Sequence, residues 1–134
     1  MTNTDIIQPE GWPAPRGYSN GISAAGRIIT VAGQIGWDPV TCTIESADFA
    51  SQAAQALRNV VAVLSAAGAL PEHLVRMTWF ITDRSAYISA RGDIGESYRQ
   101  IIGRHFPAMS VVVVHGLIEA DADVEIEATA VVPV

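Results

Sequence analysis

Apolar side chains recur every three or four residues in two stretches of the chain, and this spacing predicts two helices. The first covers residues 49–67, begins at a cap provided by Ser46 or Asp48, and ends at Gly68. The second covers residues 85–104, even though Gly92 and Gly95 lie inside it. Each helix therefore has one apolar face to bury.

Short stretches with strand character lie before, between and after these helices. They cover residues 18–24, 27–32, 74–82, 109–115 and 124–132. The dipeptide Ala25-Gly26 favours a hairpin turn between the first two strands, and the glycines in residues 33–39 favour a loop. Residues 1–16 contain three prolines, so an extended lead-in without a regular element is expected there.

This order, β-β-α-β-α-β-β, predicts an α+β fold in a single domain over residues 1–134. We expect a mixed sheet that opens and closes with a hairpin and carries both helices on one face. The other face would then be uncovered. Because apolar residues occur on both sides of the last strands, we expect association to bury that face.

The composition narrows the classes of function that the chain can have. Hydrophobic residues make up 49% of the 134 residues and charged residues only 16%, which favours contact between copies of the chain. The net charge of −6, with scattered basic residues, argues against a nucleic-acid partner. No apolar run is long enough for a membrane span, and residues 1–10 do not resemble a secretory signal, so a cytoplasmic protein is expected.

Few residues are candidates for catalysis, metal binding or ligand binding. Cys42 is the single cysteine and the three histidines lie far apart, so no metal site is expected. Glu125 and Glu127 share one face of a predicted strand, either as a solvated face or as a carboxylate that acts as a base in a cleft. Tyr18 is either a packing residue or a hydroxyl facing a ligand. Gly33 is either a bulge or a backbone N–H donor to a ligand.

Several short motifs occur in an order that resembles the RidA (YjgF-like) imine/enamine deaminase family, from about residue 13 to residue 132. They are Gly17-Tyr18-Ser19, Ile29-Thr30-Val31-Ala32-Gly33-Gln34-Ile35, Asp38-Pro39, Gln52-x-x-Gln55-Ala56-Leu57-x-Asn59-Val60, Ala66-Ala67-Gly68, Phe106-Pro107-Ala108, and Val124-Glu125-Ile126-Glu127-Ala128-x-Ala130-Val131.

The resemblance implies a chorismate-mutase-like fold and a homotrimer whose sheets pack into a central barrel-like core. It also implies three clefts between subunits, where family members hydrolyse enamines or imines to carbonyl compounds and ammonia. No metal or organic cofactor takes part. In the typical family mechanism an arginine binds the substrate carboxylate, and a water held by a glutamate attacks the imine carbon.

Position by position, the resemblance assigns the site tyrosine to Tyr18, the backbone contact to Gly33 and the water-positioning glutamate to Glu125. Four other family positions differ. Met109 replaces the carboxylate-binding arginine, Ala32 a serine, Gly95 an asparagine and Val111 a cysteine. Losing a buried charged hydrogen bond costs about 2–5 kcal/mol, roughly 30- to several-thousand-fold in affinity. The cleft should therefore be larger and more apolar than is usual in the family.

Another basic residue can stand in for the missing arginine. Arg91 lies four residues before Gly95 and shares its helix face, and Arg16 lies beside Tyr18. The alternative is that both arginines are merely exposed to solvent. Trp37, Trp79 and His115 are further candidates for the pocket wall.

The sequence thus favours a small-molecule imine or enamine hydrolase acting on a substrate other than the usual small 2-imino acids. The alternative is a non-catalytic ligand-binding or chaperone-like protein with the same cleft. Ribonuclease activity, sometimes ascribed to the family, fits poorly with the acidic charge.

Overall fold

The computed structural model describes residues 4–134, and its strands and helices follow the alternation that the sequence predicts. In chain order they are β1 (Thr4–Ile7), β2 (Gly21–Ala24), β3 (Arg27–Ile35), β4 (Trp37–Asp38), β5 (Thr43–Ile44), α1 (Phe49–Ala66), a 3₁₀ turn (Pro71–His73), β6 (Leu74–Ile81), α2 (Arg84–Ser89), α3 (Arg91–Ile101), β7 (Ala108–Val113) and β8 (Val124–Val132).

The central sheet is mixed and has the strand order β3-β8-β6-β7. β8 is antiparallel to both of its neighbours, and β7 runs parallel to β6 at one edge. The small strands form separate two-stranded pairs, β1 with β2 and β4 with β5. The mixed α+β fold expected from the sequence is confirmed.

The helices cover one face of this sheet. On β8 the residues that face the helices, Val124, Ile126, Ala128 and Ala130, are at most 5% exposed. They pack against α1, whose Leu57, Val60 and Leu64 are fully buried. α1 begins where the Asp48 carboxylate accepts the Ser51 N–H at 3.0 Å, which is one of the two predicted caps.

The opposite face of the sheet is uncovered within the chain, as the pattern predicted. Ile28 on β3 is 68% exposed and Val112 on β7 is 40% exposed. Both belong to the alternate set of side chains that points away from the helices.

Neither predicted hairpin forms in the central sheet. β2 pairs with β1, not with β3, so Ala25-Gly26 links two separate sheets. The lead-in therefore contains a strand, because Thr4–Ile7 lies ahead of the prolines; residues 1–3 lie outside the described part. At the other end β8 inserts between β3 and β6, since ten residues separate it from β7 and leave it free to reach the centre.

Two further boundaries differ from the prediction. β3 continues past Val31 through a bulge to Ile35, because Ala32 and Gly33 together oppose one residue of β8 and the pairing resumes at Gln34. The second predicted helix is two helices. Ala90 adopts φ −92° and ψ 0°, and its N–H bonds back to carbonyls of α2, which closes that helix before α3 begins.

Candidate functional site

A cavity of about 550 Å³ is lined by α3, by parts of β6 and β7, and by residues 16–18. This volume is in the range of sites that bind small organic molecules. Residues 16–18 reach the cavity through Ser19, whose N–H donates to the Pro107 carbonyl at 3.0 Å and whose hydroxyl donates to the Phe106 carbonyl at 2.5 Å. These bonds place Tyr18, which is 41% exposed, beside the start of β7 and Met109.

The walls of the cavity are largely aromatic. All three tyrosines of the chain line it, together with Trp79 and Phe106. Tyr98 and Phe106 stack with ring centroids 5.4 Å apart, and Trp79 meets Tyr87 edge to face at 6.4 Å. The Tyr98 hydroxyl donates to the His105 carbonyl at 2.6 Å, and burial raises the pKa of Tyr98. Tyr98 is therefore a neutral, fixed wall residue.

One buried donor in this wall lacks an acceptor. Trp79 is 2% exposed, and its indole Nε1 has no hydrogen-bond partner among residues 4–134. A buried N–H without a partner destabilises a fold by about 1–3 kcal/mol, so the indole of Trp79 lowers the stability of this wall.

Three guanidinium groups line the same cavity, from Arg16, Arg91 and Arg99, and no acidic residue lines it. In the described part of the chain none of the three forms a hydrogen bond or an ion pair. Burial raises the pKa of the Tyr87 hydroxyl, and the positive charge of Arg91 acts in the opposite direction. The cavity is therefore cationic in a chain whose net charge is −6.

Glu125 lies elsewhere, against the bulge of β3. A Cβ atom on Gly33 would lie 2.6 Å from Cδ and 2.7 Å from Oε2 of Glu125, so the carboxylate rests on the bare glycine backbone. The Glu125 carboxylate is half-buried and has no hydrogen-bond or ionic partner within residues 4–134. It has free acceptor capacity for a water or a ligand.

Asn59 of α1 holds the end of the bulged strand in place. Its amide nitrogen donates to the Ile35 carbonyl at 3.1 Å and to the Trp37 carbonyl at 2.9 Å, while its side chain is 4% exposed. Asn59 thereby fixes the backbone that follows Gly33.

The sheet register separates Glu125 from Met109. Met109 pairs with Met77 on the helix face, whereas Glu125 pairs with Phe80 on the uncovered face. With one strand between β7 and β8 and three residues of offset, the two backbone positions lie about 14 Å apart. A carboxylate must come within about 3 Å of the water or proton on which it acts, so Glu125 cannot serve this cavity within one chain.

The residues proposed from the sequence therefore fall into separate groups. Arg16, Tyr18, Arg91, Gly95 and Met109 line the cavity, as does Val111. Ala32, Gly33 and Glu125 lie together at the bulge. Of the three further candidates for the wall, Trp79 lines the cavity but Trp37 and His115 do not.

Arg99 was missed from the sequence. It lies four residues after Gly95, as Arg91 lies four residues before it, so the three share one face of α3. The Nη1 atom of Arg99 is 3.7 Å from the position that a Cβ on Gly95 would take. The four-residue spacing of Arg91, Gly95 and Arg99 was the sequence signal that could have identified Arg99.

Within residues 4–134 no helix is both long and apolar enough to span a membrane. Across the same residues, no three His, Cys, Asp or Glu side chains come together as a possible metal site.

Comparison with known proteins gives consistent matches over nearly the whole chain. Residues 11–132 match the protein family described as "Endoribonuclease L-PSP". The chain is 37% identical over 129 residues to the 2-iminobutanoate/2-iminopropanoate deaminase of Escherichia coli, covering 93% of this chain and 95% of that protein.

Two solved structures extend the comparison. A Rid-family protein of unknown function from Yersinia pestis, YyfB, has a TM-score of 0.87 at 29% identity, covering 98% of this chain and 100% of that one. Escherichia coli TdcF, solved with bound serine, has a TM-score of 0.68 at 35% identity, covering 96% and 98%.

The fold and the cavity thus define an α+β protein with a cavity of small-molecule size at the edge of its sheet. The chain belongs to the RidA/YjgF (L-PSP) family, whose members include 2-iminobutanoate/2-iminopropanoate deaminases.

Proposed function

We propose that this protein hydrolyses an imine or enamine to a carbonyl compound and ammonia, in a cleft formed between two copies of the chain. The observation that carries the proposal is the separation of Glu125 and Gly33 from the cavity that contains Tyr18 and Met109. Neither group is a complete site by itself. The first has a carboxylate without a partner but no cavity, and the second has a cavity but no carboxylate. A second chain supplies what each half lacks.

The uncovered face of the sheet supports such an assembly. Ile28 and Val112 on that face would be shielded from water by contact between copies, and apolar burial contributes about 25 cal/mol per Å². The family resemblance implies a homotrimer, which would provide three equivalent clefts, and the proposed assembly is this trimer.

In the proposed reaction the Glu125 carboxylate of one chain accepts a hydrogen bond from a water and takes its proton as the water oxygen attacks the imine carbon. The protonated Glu125 passes this proton to the imine nitrogen, which gives a carbinolamine. Glu125 then takes the proton of the carbinolamine hydroxyl and delivers it to the nitrogen as the C–N bond breaks, so that ammonia leaves, a carbonyl group remains and Glu125 is again a carboxylate. Tyr18 of the other chain donates its hydroxyl proton in a hydrogen bond to the substrate. The Gly33 N–H contributes a backbone donor. None of these steps uses a cofactor.

The substrate should differ from the smallest 2-imino acids. Met109 offers a thioether where relatives with that activity are expected to place a guanidinium, and one thioether cannot replace two charge-assisted hydrogen bonds. TdcF was solved with bound serine, so we expect the substrate of this protein to be an imine derived from an amino acid with a larger side chain.

The test is turnover of an imine with a larger side chain. An L-amino-acid oxidase converts phenylalanine to 2-imino-3-phenylpropanoate, and semicarbazide trapping follows the decay of the imine. The protein should accelerate that decay. Glu125→Gln should lower the acceleration by about 100- to 10,000-fold and leave the fold intact, because the amide is a far weaker base of similar shape.

Glu127→Gln is the matched control. Glu127 is exposed on the same strand face, two positions away, so its change should have little effect. Equal losses in both variants would show that the wrong carboxylate is assigned. A stable monomer in sedimentation equilibrium at micromolar concentration would contradict the shared cleft. Tight ligand binding without turnover of any imine would favour the non-catalytic alternative.

A further inference from the structure

α3 carries an unusual arrangement on the face that lines the cavity. Arg91, Gly95 and Arg99 follow one another at four-residue spacing, so two guanidinium groups flank a position without a side chain. The two arginines are eight residues apart, which corresponds to about 12 Å along the helix axis.

Packing within the chain does not account for the glycine. A glycine inside a helix costs about 1 kcal/mol relative to alanine. A Cβ on Gly95 would meet only Arg99 Nη1, at 3.7 Å, which is an ordinary van der Waals contact. Alanine would therefore fit in the chain and favour the helix. What glycine adds is open space between the two arginines.

The charges are also unaccounted for within the chain. Neither Arg91 nor Arg99 has an ionic or hydrogen-bonded partner in residues 4–134, and the cavity wall contains no carboxylate. Both arginines are exposed, so an anion that enters the cavity can replace their water with charge-assisted hydrogen bonds. Two guanidinium groups and no carboxylate on one wall therefore favour an anionic ligand.

The remaining walls indicate the rest of the ligand. Tyr98, Phe106 and Met109 present flat or flexible apolar surface, and 550 Å³ is far more than a three-carbon acid needs. A ring-sized apolar group fits such walls, because aromatic faces and a thioether contact rings favourably.

We propose that Arg91 and Arg99 form the anion-binding end of this cavity, and that its ligand is a carboxylic acid with a ring-sized apolar body. This inference rests on the proposed function for the identity of the site and specifies the substrate class. The acid group is held from the helix side of the cavity, across from Met109. Gly95 supplies the space in which it sits.

Calorimetric titration with non-reacting probes tests the inference without any need for turnover. 3-Phenylpropanoate should bind the assembled protein at least tenfold more tightly than propanoate, which lacks the ring, and than 3-phenylpropanamide, which lacks the charge. Arg91→Gln and Arg99→Gln should each weaken 3-phenylpropanoate at least tenfold and barely change the amide. Arg58→Gln, an exposed arginine on α1 outside this cavity, should change neither.

A pair of glycine variants separates ligand binding from helix stability. Gly95→Ala and Gly92→Ala both replace a glycine of α3 where a Cβ meets no close contact. Both should raise the melting temperature slightly, but only Gly95→Ala should weaken 3-phenylpropanoate. Equal binding by both variants, or binding insensitive to both arginine changes, would overturn the inference. Charge-dependent binding without hydrolysis of the phenylalanine-derived imine would leave it standing and refute the proposed function instead.

Discussion

The contact between Gly33 and Glu125 gives a sharp test of how the carboxylate is positioned. A methyl group in Gly33→Ala would lie 2.6 Å from Glu125 Cδ, whereas ordinary contact begins at 3.4 Å. The carboxylate must therefore retreat by about 0.8 Å, the difference between those distances. Because the clash is with the end of a flexible side chain, the backbone can stay in place.

The expected result is a fall in kcat with little change in stability. A misplacement of about 1 Å in a reacting group lowers a rate by up to about 100-fold, so we expect a loss of roughly 30- to 100-fold in kcat. The free energy of unfolding should change by less than about 1 kcal/mol, since alanine is no worse than glycine in a strand. KM should stay within about threefold, because the ligand cavity is untouched.

The assay is decay of the phenylalanine-derived imine, combined with urea unfolding of the same samples. A double-mutant cycle shows whether Gly33 acts through the carboxylate. In a Glu125→Gln background, Gly33→Ala should cause no further loss, because the two residues form one unit. An undiminished kcat in Gly33→Ala would refute the reasoning. So would an additional loss in the Glu125→Gln background.

Two further predictions concern Met109 and Gly36. The protein should hydrolyse 2-iminopropanoate at least about 30-fold less efficiently than the Escherichia coli deaminase in a parallel kcat/KM measurement, because Met109 offers no ion pair on the β7 side of the cavity and a three-carbon acid held from α3 lacks the ring-sized body that would position its imine; comparable efficiencies would contradict the proposed carboxylate site on α3. Gly36→Ala should lower the free energy of unfolding by about 3 kcal/mol, because a Cβ there would lie 2.6 Å from the Cα and 2.7 Å from the carbonyl oxygen of Gln52 on α1, and backbone atoms cannot rotate away. Gly116→Ala, where a Cβ meets nothing within 4 Å, is its control and should change that free energy by less than about 0.5 kcal/mol.

The sequence predicted elements where one periodicity holds over many residues. β8 was predicted with its observed bounds, since Val124, Ile126 and Ala128 alternate with polar residues and all three are buried. α1 was predicted to within one residue for the same reason. In each case a single buried face dictates the pattern.

Strand pairing was not predictable in the same way. The Ala25-Gly26 dipeptide is compatible both with a hairpin turn and with a link between two sheets. The observed partner of β2 is a four-residue strand in a proline-rich segment, which the pattern did not predict. The separation of Glu125 from Met109 depends on the registers of β6 with β7 and with β8, which no local pattern encodes. Arg99 was missed because a charged residue on an exposed helix face usually has no role beyond solubility.

The two halves of the proposed site are built from different kinds of structure, and this has a consequence for how the site can vary. Glu125 and Gly33 are fixed by a sheet bulge that is tied to α1 through Asn59, so a change there disturbs backbone geometry. The cavity half is made of side chains on α3 and on the edge strand β7, among them Gly95 and Met109. Under the proposed function, substrate recognition can therefore move from β7 to α3 while the Glu125 carboxylate stays where the sheet holds it. A helix face and a sheet edge tolerate such exchanges because their backbone hydrogen bonds do not depend on the side chains that they present.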